Sequence, residues 1–409
     1  MDRLANNGAA APGIRYHYMD NLRAIAMLAG VFFHAALAYS PAMSQVWLTS
    51  DPQTSPAIDV VSWFMHLFRM PLFFLIAGFF ACYLVEKRGA AGFMKNRAVR
   101  ILVPFVLFLP LIWISLAAGV GWALANVENP SPLLRVFAWM ANVPDAPPPP
   151  ITTTHLWFLY NLCMFYVVYV ALEKTGVLSM KWAGVFSSPK FLVFVLPLLI
   201  APALAGQWKP HPAPEQFVPQ LWSFGFYGFF FLVGAQFFRR KELIDELRPW
   251  VPWLTATSLV LYAVLYYYLP KSVTLEEAIA VMQGVPIDAR EAGLGLLEAV
   301  IAVHMTLVCL VAGKRFMDRA SPAVRYIADS SYWVYIVHLP LVFFIQYLLL
   351  DTQWNLWVEF GISSFGTLAI GLISYAILVR YTPIGWLLNG RRGRQQKPSM
   401  GRQAQEASA

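Results

Sequence analysis

Residues 57–83 read AIDVVSWFMHLFRMPLFFLIAGFFACY, a mostly apolar run with His66 and Arg69 near its middle. A run of this length crosses a bilayer as one helix. His66 and Arg69 are three residues apart and share a helical face. Counted inward from the outer surface, Arg69 lies about 12 residues deep, near mid-bilayer. A guanidinium there cannot shed its charge, so it needs a carboxylate, a phosphate, backbone carbonyls or an anionic ligand. Pro71 and Gly78 point to a kinked helix with a small-residue contact.

The rest of the chain repeats the pattern. Of its 409 residues, 58% are hydrophobic, 15% aromatic and only 13% charged. A soluble domain carries about 25% charged residues. The composition excludes a cytosolic enzyme, a disordered chain and a disulfide scaffold, and leaves an all-α integral membrane protein. Apolar runs near 19–40, 57–83, 98–125, 155–173, 190–206, 217–238, 251–269, 292–313, 329–350 and 354–379 predict ten transmembrane helices. Residues 1–18 read as a cytoplasmic segment and not a signal peptide, 19–380 as one membrane domain, and 381–409 as a basic, disordered cytoplasmic tail. Pro144–Pro150 reads as a polyproline spacer on the outer side.

Charge tests the count. Of 30 Lys and Arg, 24 fall in alternate segments on the side of the N-terminus. Arg135, Lys209, Lys271 and Arg290 fall on the other side, and Arg23 and Arg69 lie inside spans. That alternation places both termini in the cytoplasm. It also gives the net charge of +8 a membrane role, with no nucleic acid needed. Cys82, Cys163 and Cys309 sit singly in apolar stretches, which argues for small core residues and neither a metal site nor a disulfide framework.

Polar residues inside spans are functional candidates. Arg23 and His34 are 11 residues apart, three helical turns plus roughly 20°, so they share a face about 16 Å apart along the axis. Arg23 then lies near the cytoplasm and His34 past the midplane. An interfacial anchor and a helix-contact histidine are the plainer readings. Glu298 and His304 lie in the eighth span, and Ser331, Tyr335 and His338 form one stripe in the ninth. Depth puts Glu298 level with His34, and His66, Arg69, His304 and His338 near the midplane, so one polar cavity would collect them. Plain polar packing and an internal ion pair for Arg69, with Glu298 its candidate partner, are the alternatives. His155 opens the fourth span at the outer surface, and Trp157 reads as a belt aromatic. Arg97 and Arg100 share a face at the start of the third span. They read either as positive-inside anchors or as a site for a phosphorylated donor.

Taken in order, five landmarks resemble the acyltransferase 3 family of bacterial membrane enzymes. They are Asp20 with Arg23-x10-His34; Phe68-Arg69-Met70-Pro71-Leu72-Phe73-Phe74 with Gly78; Arg97-x2-Arg100 with Pro104; His155-Leu156-Trp157-Phe158-Leu159; and Ser331-Tyr332-x2-Tyr335-x2-His338. Tyr18–Arg23 and Phe68–Pro71 look like the glucan biosynthesis protein C branch, which is associated with succinylating periplasmic glucans. The resemblance implies a multi-pass enzyme of the bacterial inner membrane. It would move an acyl group, with succinyl-CoA the expected donor, from cytoplasmic acyl-CoA to a periplasmic glucan. O-acetylation of another envelope polysaccharide, or a proton-coupled transporter using the same buried residues, remain alternatives. In the acyl-transfer reading Arg23, Arg97 and Arg100 hold the CoA phosphates. His34 is general base with Glu298 orienting it, and Arg69 or a tyrosine, with Tyr335 and His338 nearby, stabilises the oxyanion.

Overall fold

The computed structural model describes residues 16–144, 150–179, 188–282, 285–319 and 321–390. These residues fold into helices with no strand among them. Among the described residues, eight helices are long and apolar enough to cross a membrane, and a shorter apolar helix spans Phe191–Ala205. The protein is a multi-pass membrane protein. The polyproline residues 145–149 and most of the basic tail lie outside the described residues. Within the segment read as tail, Pro383–Asn389 forms a helix.

The principal helices are α1 (His17–Ala36), α2 (Pro56–Arg97), α3 (Val103–Asn126) and α4 (Pro132–Met140). They continue as α5 (Trp157–Lys174), α6 (Leu196–Ala205), α7 (Phe229–Arg239) and α8 (Val251–Tyr268). The series closes with α9 (Ala289–Phe316), α10 (Pro322–Leu349), α11 (Leu356–Ser374) and α12 (Pro383–Asn389). The helical stretch Pro56–Asn126 is 71 residues long. As one rod it would measure about 106 Å, over three times the hydrocarbon core. Gly89, at φ +67°, interrupts it, a conformation that glycine adopts at little cost. A π-helical turn, Ala98–Leu102, follows before α3.

α2 is the central element, packed by α1, α5, α7 and α9. Its contact with α7 is backbone to backbone. A side chain at Gly78 would strike the Phe231 carbonyl, and one at Gly234 the Leu75 carbonyl. Helices held together without a hydrophobic driving force need such small-residue approaches. α1 also packs on α10, so α1, α2, α5 and α10 surround a shared interior. One end of that interior is rich in arginine. At the other end two irregular segments fold over the bundle. Residues 40–55 form a cap, tied down by Asp51 N–H to the Ala38 carbonyl (2.9 Å) and by Thr49 Oγ1 to Gln346 Oε1 (2.6 Å). Residues 206–220 re-enter between helices, with Thr153 N–H donating to the Glu215 carbonyl (2.8 Å) and Lys209 Nζ to the Leu204 carbonyl (2.9 Å).

Candidate active site

A cavity of about 70 Å³ in the shared interior is lined by His34, His66, Arg69, His155, Tyr335 and His338, among others. Five residues picked out by depth and spacing, His34, His66, Arg69, Tyr335 and His338, thus meet. The His34 ring lies 5.1 Å from that of His338, which lies 5.0 Å from that of His155. Trp47 of the cap stacks over His34 at 6.3 Å and 26°. Phe33 is shared. The His66 ring stacks on it at 5.1 Å, and the Arg69 guanidinium carbon sits 4.7 Å from its centroid. Gly30 leaves room for that guanidinium, because a Cβ there would come within 2.8 Å of Arg69 Nη1.

Backbone carbonyls fix which ring nitrogens are free. A carbonyl only accepts, so the nitrogen facing it carries the proton. His66 Nε2–H therefore donates to the His211 carbonyl (2.9 Å), His338 Nδ1–H to the Tyr335 carbonyl (2.6 Å) and His155 Nε2–H to the Ile336 carbonyl (3.0 Å). In the neutral rings the lone pairs sit on His66 Nδ1 and His338 Nε2. Both atoms are buried without a protein partner, as are His34 Nδ1 and Arg69 Nε. Buried polar atoms are nearly always satisfied, so four orphans around one cavity mark a place where a ligand completes the hydrogen bonding. Tyr335 donates its hydroxyl to the His155 carbonyl (2.6 Å), which locks α10 to the start of α5.

Several expectations change. Glu298 does not line the cavity. It accepts from His211 N–H at 3.0 Å, and His211 Nδ1 lies 3.6 Å from the same carboxylate oxygen. Glu298 therefore bonds to the segment whose carbonyl accepts from His66, and not to His34. Arg69 forms no ion pair among the described residues, so the Glu298–Arg69 pairing is also absent. His304 faces elsewhere, between Thr257 Oγ1 and the Val193 carbonyl, both at 3.2 Å. Ser331 bonds back to the Ala328 carbonyl (2.9 Å) and stays out of the cavity. His155 and Trp157 are buried and line it. The surface reading of His155 and the belt reading of Trp157 fail because the re-entrant segment covers the end of α5. His211 was missed altogether. It sits in Lys209-Pro210-His211-Pro212, a loop on charge and proline content, and no periodicity betrays that it is buried.

A second cavity of about 330 Å³ opens at the arginine-rich end. Arg23, Arg97 and Arg100 line it as expected, and Arg88, read from sequence only as a loop charge, joins them. Arg23 pairs with Asp20 at 3.5 Å while its side chain stays 40% exposed. Arg97 lies against the Phe93 and Tyr166 rings at 5.8 and 5.7 Å. Arg100 rests on Gly390, just past α12, and its carbonyl accepts the Tyr332 hydroxyl (2.9 Å). Met27, Phe73, Phe158 and Tyr335 line both cavities. The arginine-lined cavity and the histidine cavity therefore adjoin across a largely apolar set of shared residues.

A family model described as an acyltransferase domain matches residues 16–376. Curated relatives include proteins named "Glucans biosynthesis protein C" from Escherichia coli O1:K1 and Escherichia coli K12. Each is 24% identical over 399 residues, covering 93% of this chain and 96% of the relative. No solved structure matches. The family match takes in the whole histidine cavity and all four vestibule arginines, and the chain therefore belongs to the acyltransferase 3 family of membrane acyltransferases.

Proposed function

We propose that the protein transfers a succinyl group from succinyl-CoA at the cytoplasmic face of the bacterial inner membrane to a hydroxyl of a periplasmic glucan. Family membership sets aside the transporter alternative. The observation that carries the reading is the adjacency of the two cavities, which share Met27, Phe73, Phe158 and Tyr335. The orientation rests on the charge alternation along the chain. Ten crossings follow if Pro56–Asn126 is counted as two and Phe191–Ala205 as one short span. The acceptor rests on the printed name of the relatives.

The chemistry runs from mouth to cavity. Arg23, Arg88, Arg97 and Arg100 offer planar guanidinium donors that suit CoA phosphates. The thin, mostly apolar acyl-carrying arm suits these shared residues and brings the thioester beside His34 and Arg69. His34 takes the proton of the acceptor hydroxyl, whose oxygen attacks the thioester carbon. The charge that develops on the carbonyl oxygen is met by Arg69. Collapse breaks the C–S bond and completes the C–O ester. The protonated His34 returns its proton to the departing CoA thiolate, which balances the reaction. Ring packing by His338 and Trp47 holds His34 in place, the role expected of Glu298.

Two measurements test this reading. His34→Ala in the purified protein should lower transfer by about 10²-fold or more while acyl-CoA still binds; transfer near the wild-type rate would remove His34 from the chemistry. The succinyl preference rests on Arg69, which lacks a carboxylate partner and can grip the free end of a dicarboxylic acyl group with its fork. Arg69→Lys keeps the charge and loses the fork. It should therefore depress succinyl transfer more than acetyl transfer. An equal loss on both donors would assign Arg69 to the oxyanion alone and favour acetyl transfer to another polysaccharide.

A further inference from the structure

A third cavity lies at neither the arginines nor the histidines. It measures about 580 Å³, sits at the far end of the bundle, and is walled by the cap around 44–54 and by residues 128–135, the link after α3 and the first turn of α4. That is the size of a small-ligand site. Both walls are held rigidly. The Asp351 carboxylate accepts from Glu128 N–H (3.0 Å) and from Asn129 N–H (2.8 Å). Ser131 Oγ donates to the Leu48 carbonyl (2.6 Å), which ties one wall to the other.

The lining selects a ligand class. Gln45 and Asn129 present amides, Asp51 and Glu128 present carboxylates, and Arg135 is the one cation among the lining residues. Arg135 faces the Glu128 carboxylate and the Asp51 carboxyl, so no surplus of positive charge draws a phosphate or other anion. An acyl chain would strand the amides and carboxylates without partners. Pro52, Pro130 and Pro132 supply flat C–H surface between the polar groups. Hydrogen-bonding groups of both kinds, alternating with apolar patches, suit a neutral polyhydroxylated ring.

The position supports the same class. Trp47 lies on the cap between Gln45 and Asp51, and its ring stacks on His34. Its indole Nε1 is buried and has no partner. The cap that walls the far cavity thus also carries the ring that packs on His34. The 70 Å³ histidine cavity is too small for a sugar unit, so most of an acceptor chain must be held outside it.

We propose that the cavity between residues 44–54 and 128–135 is an acceptor subsite for a neutral oligosaccharide, which delivers one hydroxyl past Trp47 to His34. This deepens the glucan reading above and rests on it.

The test measures binding on the full chain in detergent, with maltohexaose and glucose as probes in titration calorimetry. The wild type should bind the hexaose better than glucose. Gln45→Ala should weaken the hexaose by about 5-fold, the loss of one hydrogen bond. Gln45→Trp, which fills the cavity, should weaken it by about 10-fold or more. Gln53→Trp, on the same cap but outside the lining, should bind like wild type and serves as the fold control. Equal affinity for glucose and the hexaose, or a Gln45→Trp variant that binds as well as wild type, overturns the subsite. Loss of binding in Gln45→Trp with no acyl transfer to the bound hexaose keeps the subsite and overturns the glucan acceptor.

Discussion

Glu298 is where the residue scale is most informative. Its depth was readable from sequence, but its partner was not. The carboxylate accepts from the backbone of His211, whose carbonyl takes the Nε2 proton of His66 and leaves Nδ1 facing the cavity. Groups that orient a site residue typically cost 10- to 100-fold when removed. Glu298→Gln keeps an oxygen that can accept from His211 N–H and should retain most activity. Glu298→Ala should lower kcat about 10-fold or more, with the KM for acyl-CoA little changed. Because Glu298 and His66 both bond to the His211 backbone, the losses in Glu298→Ala and His66→Ala should not multiply in the double variant. Steady-state kinetics on the three proteins decide this, and multiplying losses would make Glu298 a packing residue. His34, Arg69, Tyr335 and His338 were legible because each lies on a regular helix, where spacing gives face and depth. His211 was not, because its segment re-enters without a period.

At the scale of elements, the long helices were written in the apolar runs and the segments between them were not. The cap of residues 40–55 has no repeating pattern, yet it closes the far end and brings Trp47 onto His34. Its pH behaviour follows from Asp51. Burial, and then the neighbouring Glu359 carboxyl, push the Asp51 pKa from the ordinary 3.8 up to about 7, against the lowering effect of the Gln53 N–H bond (2.7 Å). Glu359 is itself buried and accepts from Thr352 Oγ1 at 2.6 Å. A raised carboxyl pKa means that the fold favours the protonated form. The stabilisation is full below 3.8 and is lost as pH rises through about 7. The melting temperature of the wild type should therefore fall between about pH 5 and pH 8. Asp51→Asn imitates the protonated acid and should melt with a flatter pH profile over that range. Parallel profiles for the two proteins would place the proton elsewhere.

Over the whole molecule, charge and shape make one argument. Positive residues gather at the end where the four arginines open the vestibule, and the sequence alternation predicts that this end faces the cytoplasm. The all-helical membrane class was legible because lipid demands long apolar runs. The wall shared by the two cavities was not, because Met27, Phe73, Phe158 and Tyr335 come from four different helices whose mutual rotation no single run encodes. The orientation has a chemical consequence. Acyl-CoA is a charged molecule that does not cross a bilayer, so it can reach the vestibule from one side only. Sealed inside-out vesicles should consume added acyl-CoA, and right-side-out vesicles should not until they are permeabilised. Raising the salt from 50 to 200 mM should weaken the donor, since the Debye length shrinks to about 7 Å. In Arg97→Gln/Arg100→Gln that salt effect should be smaller. Lys87 and Gln53 are exposed at opposite ends, so single cysteines there, in a background lacking Cys82, Cys163 and Cys309, report the sidedness of each preparation. An impermeant maleimide should label Gln53→Cys, and not Lys87→Cys, in intact cells. If Lys87→Cys labels and acyl-CoA is consumed only by right-side-out vesicles, the protein is inverted and the donor enters from the periplasm.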